Sequence, residues 1–178
     1  GDWSSDVCSS DLLSFSRQDE HRSRPLDIMP ITKELLKFLR SSIPTTIEIR
    51  QNILTQSATI MVDPSQMHQT LISLCTNAVD AMGGKPGVLE ISMIDVELDQ
   101  DDTALHDDMA PGEYIRLSVK DTGMGMEPEV VGRIFEPFFT TKDVGEGRGM
   151  GLAVIHGIVK NHKGFIEVHS EPGKGSTF

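Results

Sequence analysis

The chain has 178 residues, 38% of them hydrophobic, and a formal net charge of −11. That length supports one domain with a real core, and no apolar run approaches the roughly 18 residues a membrane helix needs. So strong a negative balance argues against a nucleic-acid surface, which wants a basic patch.

In chain order, "GDWSSDVCSSDL" (1–12) has neither helical nor strand period. It resembles the translation of a common sequencing-adapter oligonucleotide, which would make it no more part of the fold than a tag; a natural disordered terminus is the plainer alternative. "LLSFSRQDEHRS" reads as the last turns of a helix that Pro25 ends. "ITKELLKFLRSSI" places Ile31, Leu35, Leu36 and Leu39 at helical spacing. "TTIEIRQNI" alternates as a strand, and "ATIMVD" is a short one. Asp63 before Pro64 is an N-cap followed by the favoured first-turn proline. That helix runs to about Met82, where Gly83 and Gly84 stop it.

"GVLEISMIDVEL" predicts a long strand, with "EYIRLSVKD" as its antiparallel partner. Between them "DVELDQDDTALHDD" is a solvated acidic loop. It lacks the glycine and closing Glu of a calcium-binding EF-hand loop. "PEVVGRIF" predicts a short helix, "TTKDVGEGRGMG" a loop, "LAVIHGIVKNH" a helix and "GFIEVHS" a strand. "GSTF" reads like the start of another strand, and a fragment is expected at both ends. Cys8 and Cys75 make no disulfide framework. Cys75 reads as core, a reducing compartment is the simple expectation, and no Cys and His spacing suggests zinc. The mixture predicts a two-layer α/β (α+β) sandwich, one mixed β-sheet with helices on one face.

Four stretches carry chemistry. In the helix from Pro64, Met67, Leu71, Leu74, Ala78 and Met82 form an apolar stripe. Ser73, Asn77 and Asp80 form a polar line beside it. Asn is a poor mid-helix residue, so Asn77 is either a surface side chain in water or one with a partner. In "LSVKDTGMGM", Asp121 has the parity of Ile115, Leu117 and Val119, so a carboxylate points towards the buried side. A buried carboxylate needs a donor. An exocyclic purine amino group would serve, with Gly123 and Gly125 letting a flat ring approach the backbone. A bulge or a turned-out Asp is the plainer alternative.

In "GEGRGMGLAVIHGIV", Gly147, Gly149 and Gly151 run into a helix that is apolar nearly all round and so expected to be buried. Its N-terminus is a place for phosphate. Lys142 and Arg148 would add positive charge, or are merely solvated. Neither a Rossmann fingerprint nor a Walker loop is present. In "RIFEPFFTTK", Phe135, Phe138 and Phe139 are three of only seven Phe. They read as core, or as the anchor of a mobile lid.

In this order the stretches resemble the catalytic and ATP-binding domain of sensor histidine kinases, within the gyrase, heat-shock chaperone and MutL superfamily. "LISLCTNAVDAM" is similar to the N box, "DTGMGM" to the G1 box and "RIFEPFFTTK" to the F box. "GEGRGMGL" is similar to the G2 box and "EPGKGSTF" to the G3-like end. Together they cover about 110 residues. Upstream, "LLSFSRQ" resembles the close of the second helix of the dimerisation and phosphotransfer domain. The flavour is that of PAS-linked, often hybrid, kinases.

The resemblance implies the Bergerat ATP-binding fold over 26–178, without its final strand, after a helix end at 13–25. It implies Mg-ATP as ligand, with Asn77 holding the magnesium. Asp121 would accept from adenine in a pocket shaped by Gly123, Gly125 and Met126. The loop from Thr140 to Met150 would be the ATP lid, with Gly147, Gly149 and Gly151 bringing backbone N–H groups to the triphosphate, Lys142 as a phosphate contact, and Arg148 and Met150 as further ATP-binding residues. Gly151 and Leu152 follow at the start of the next helix, and Asp80 and Thr177 complete the implied site. The phosphoacceptor histidine lies on a separate domain, so none of the catalytic nucleophile is here. His21, His68, His156, His162 and His169 read as surface or core.

A response-regulator receiver domain and a homodimer through the upstream helices are the implied partners, with neither nucleic acid nor membrane contact. The cytoplasm is the implied location. Two departures stand out: Ser73 where a second Asn is common, and Gln69 where a Glu is common. Losing that possible base suits histidine attack better than water attack. The rivals are a superfamily ATPase, a serine-phosphorylating anti-sigma-factor kinase and a degenerate nucleotide-binding docking module.

Overall fold

The computed structural model describes residues 23–55, 58–103, 109–141 and 149–178. Strand β1 (Arg24–Asp27) opens it, followed by helix α1 (Ile28–Ser42), β2 (Ile47–Ile53) and β3 (Thr59–Val62). Helix α2 (Pro64–Met82), β4 (Gly87–Leu98), the short α3 (Gln100–Thr103) and β5 (Gly112–Asp121) come next. The short α4 (Pro128–Val131), α5 (Gly151–Asn161), β6 (His169–Glu171) and β7 (Gly175–Thr177) complete the order.

The main sheet runs β2-β4-β5-β7-β6. It is mixed: β2 lies parallel to β4, while β5 and β7 are antiparallel to their neighbours. Ile91 faces Val119 and Leu89 faces Asp121 across the β4–β5 ladder. One face of this sheet carries Ile47, Ile49, Leu89, Ile91 and Val119. They pack against Leu35, Leu36 and Leu39 of α1, Leu71, Leu74 and Cys75 of α2, and Ile155 of α5. Each fully buried Leu or Ile contributes about 1.5–3 kcal/mol. Burial also pushes the Cys75 thiol up to about 12.

A smaller cluster of Ile28, Ala58, Val62 and Met93 lies beside it, and Met67 and Leu117 touch both. The two-layer mixed sandwich is therefore as expected. Helix α2 also begins and ends where its signals stand. The Asp63 carboxylate accepts the N–H of Ser65 at 2.8 Å, and Gly83 takes a left-handed cap at φ 57°.

Four readings change. Arg24 and Pro25, expected at the close of a helix, lie in β1, which pairs antiparallel with β3. A residue before proline is pushed to extended backbone, and Pro tolerates an edge strand. Residues 13–22, the rest of that expected helix, lie outside the described residues, as do 1–12. "GFIEVHS" keeps the alternation of a strand, but among the described residues only His169–Glu171 is laddered. Alternation reports a half-buried extended chain, and a ladder also needs a neighbour at hydrogen-bonding distance.

Helix α5 is not buried all round: Ile155 and Ile158 are, while Val154 is 36% exposed. Helix α2 packs against it, and Ile155 belongs to the core shared with the sheet. "PEVVGRIF" is helical only over Pro128–Val131 and continues as turns.

Candidate nucleotide site

Gly123, Met124 and Gly151 all lie against one face of α2. At its C-terminal end the Ala81 carbonyl accepts the N–H of Met124 at 2.9 Å. A Cβ on Gly123 would lie 2.7 Å from that same carbonyl oxygen. Two turns earlier, a Cβ on Gly151 would lie 3.2 Å from the Ser73 hydroxyl, so the start of α5 sits against α2 there. Ser73, Asn77 and Ala81 are spaced four apart and share a face. Asn77 therefore stands one turn from the 121–126 loop and one turn from the start of α5, within about 12 Å of helix axis overall. It is half-buried, and Asp80 is exposed.

Asp121 is 3% exposed, as its parity predicted. Burial pushes its carboxyl above the usual carboxylate value, and the backbone N–H groups of Gly123 and Ser176 pull it partly back. The Gly123 N–H donates to Oδ1 at 2.7 Å. So the buried carboxylate already has backbone donors of its own. The glycines that follow serve close packing of chain on chain. Gly125 has φ 67°, and a Cβ there would overlap the Glu171 carbonyl oxygen. Met126 is half-buried, and its N–H donates to the Ser170 hydroxyl at 2.9 Å.

Helix α5 starts after Met150 with no side-chain cap. First-turn N–H groups of a helix are ready donors for an anion. Leu152 is half-buried and packs on the core. Gly149 and Phe138 close the base of the loop before it. The Phe138 N–H donates to the Gly149 carbonyl at 3.0 Å, and a Cβ on Gly149 would lie 2.5 Å from the Phe138 carbonyl carbon.

The anchor phenylalanines divide. Phe135 stacks on His156 with centroids 5.1 Å apart, and Phe139 lies under the Arg133 guanidinium at 4.4 Å. Phe138 points outward, 75% exposed. Lys142, Gly147 and Arg148 lie outside the described residues. Thr177 sits in β7 opposite Lys120.

Sequence reasoning missed Ser170 and the Phe135 partner of His156. Two serines six apart around a glycine-rich turn carry no signal of a tie to residue 126, and a His on a helix carries none of a Phe partner.

Magnesium fits this donor set. Among the described residues no cluster of three His, Cys, Asp or Glu side chains could hold a metal alone. Mg²⁺ characteristically keeps waters and binds through one or two protein ligands plus substrate phosphates, and an oxygen of Asn77 beside an uncapped helix start suits that habit.

Residues 62–178 match the family model of histidine kinase-, DNA gyrase B- and HSP90-like ATPases. The chain is 37% identical over 169 residues to the sensor kinase CckA of Brucella abortus (strain 2308), covering 94% of this chain and 18% of that protein. It spans 33% of the sensor histidine kinase ZraS of Escherichia coli (strain K12) and 17% of the two-component sensor PprA of Pseudomonas aeruginosa. Full-length ShkA in complex with AMPPNP superposes with a TM-score of 0.71 at 26% identity, over 95% of this chain and 33% of that one. Histidine kinase ThkA in complex with response regulator TrrA superposes with a TM-score of 0.66 at 20% identity, over 96% of this chain and 44% of that one. The chain belongs to the histidine kinase-, DNA gyrase B- and HSP90-like ATPase family, as an ATP-binding catalytic domain of the histidine-kinase kind.

Proposed function

We propose that this chain holds Mg-ATP and presents its γ-phosphate to a histidine on a separate domain of a two-component sensor kinase. One observation carries the reading: Asn77 lies midway along α2 between the loop of Asp121 and the uncapped start of α5. Asp121 would take the adenine amino group, with Gly123, Gly125 and Met126 around it. The N–H groups at Gly151 and Leu152 would face the phosphates, with Gly149, Met150 and the lid residues Lys142, Gly147 and Arg148. Asp80 and Thr177 would lie at the margins. Asn77 would hold Mg²⁺, which neutralises phosphate charge when bound.

Catalysis is then positioning and charge neutralisation. The Pγ–O bond to ADP breaks as a bond forms to an imidazole nitrogen supplied from outside this domain. His162 has both ring nitrogens bonded, His156 stacks on Phe135 and His169 lies 4.0 Å from the Glu167 carboxylate.

The phosphoryl group would pass next to a receiver domain, as the ThkA–TrrA complex suggests, within a dimer formed through upstream helices and in the cytoplasm, where ATP is. Among the described residues no helix is long and apolar enough to cross a membrane.

Labelled ATP mixed with this chain and a matching phosphotransfer domain should label that domain alone. Label on this chain by itself would overturn the assignment. Asn77→Ala should abolish magnesium-dependent nucleotide binding, and an unaltered affinity would count against the role given to Asn77.

A further inference from the structure

The loop from Asp121 to Met126 is tied at both ends to the β6–β7 hairpin, and the ties run through two serines. Ser170 and Ser176 face each other across the ladder, with hydroxyl oxygens 2.9 Å apart. The Ser170 hydroxyl accepts the Met126 N–H at 2.9 Å and donates to the Gly175 carbonyl at 3.2 Å. A hydroxyl has one proton and two lone pairs. With its proton on Gly175, Ser170 has one lone pair for Met126 and one for the Ser176 hydroxyl, which then donates. Every group is used. Ser176 is 5% exposed, so its hydroxyl has little water to turn to.

The backbone N–H of the same Ser176 favours the charged form of Asp121 at the start of the loop. Midway, the Gly173 N–H donates to the Met124 carbonyl at 2.7 Å. The Gly173 and Ser176 links come from the main chain of the hairpin. Ser170 reaches the far end of the loop with a side chain, so it is a link that substitution can remove.

We infer that Ser170, oriented by Ser176, is a positioning residue for base recognition: it holds the Met126 amide and so sets the loop that presents Asp121 to the purine. The base-recognition half rests on the nucleotide reading above, and the brace itself does not. A loop ordered before binding spares the ligand that ordering cost. Ser170→Ala leaves the Met126 N–H and the Ser176 hydroxyl without their acceptor. Because Ser170 grips the loop assigned to the base and not the start of α5 assigned to the phosphates, ATP and ADP should weaken by the same factor. One hydrogen bond corresponds to roughly a three- to tenfold loss.

The test uses the whole chain and two readouts. Amide hydrogen exchange without nucleotide should show Met126 exchanging faster in Ser170→Ala. Titration with Mg-ATP and Mg-ADP should show equal fold losses, with the thermal midpoint lowered by a few degrees. Ser170→Thr, which keeps the hydroxyl, should restore both readouts, and Ser176→Ala should give a smaller change in the same direction. Unchanged Met126 exchange in Ser170→Ala would overturn the brace. Unequal losses for ATP and ADP, or failure of a folded Ser170→Thr to restore affinity, would overturn the positioning role. A wild-type chain that binds neither nucleotide would overturn the nucleotide reading and the base-positioning role with it, while faster Met126 exchange in Ser170→Ala would still establish the brace.

Discussion

The imidazole of His162, at the end of α5, accepts the backbone N–H of Asp63, at the start of α2, over 3.1 Å. Its other nitrogen faces the Ile158 carbonyl at 2.8 Å, which assigns the proton to Nδ1 and leaves Nε2 as acceptor. One ring thus fastens two helices that lie far apart in sequence. The Asp63 side chain turns to its own helix and accepts from the Ser65 N–H and hydroxyl at 2.8 and 2.6 Å.

Replacing His162 with Ala strands a half-buried backbone donor. The expected loss is about 1–2 kcal/mol, read by urea unfolding. The start of α5 should also drift from Ser73, lowering affinity for ATP. A loss within error of zero would remove the fastening.

Two glycines should respond with opposite signs. Gly157, in the middle of α5, has nothing within 4 Å of a built Cβ. Ala is the better helix former by about 1 kcal/mol, so Gly157→Ala should stabilise. Gly125 has φ 67°, which costs an L-residue roughly 1–2 kcal/mol, and a Cβ would also overlap the Glu171 carbonyl oxygen. Gly125→Ala should destabilise by more than the backbone cost alone and part the loop from the hairpin. Chemical denaturation of the two variants decides it, and equal effects would refute the packing described at Gly125.

Acid should weaken nucleotide binding through Asp121. Burial is the larger influence and raises its carboxyl above the ordinary 3.8, with the Gly123 and Ser176 N–H groups opposing. An amino donor needs the ionised form. Affinity should therefore hold at neutral pH and fall away, as pH drops through the raised value, before an exposed Asp would titrate. Folding runs the other way. A raised folded value means that protonation favours the fold, so this group's contribution is present in acid and lost as pH rises through that value. Titrations across the acid range should show both trends. Asp121→Asn should bind weakly at every pH, and a variant that kept the wild-type profile would acquit Asp121.

What the amino-acid order decided by itself was local. Asp63 and Pro64 start α2 and Gly83 stops it, because caps act within a turn. The alternation of 87–98 and 112–121 paired two strands, and parity turned Asp121 inward, because the pleat has period two. Tertiary structure decided what depends on a distant neighbour. Pro25 joined a strand because β3 lay alongside, 164–168 stayed unladdered because no described strand did, and Ile155 rather than Val154 entered the core that α2 shares with the sheet. The grip of Ser170 on Met126 is of this second kind: its two ends are 44 residues apart, and hydrogen-bond reach is set by folded distance, which no local period encodes.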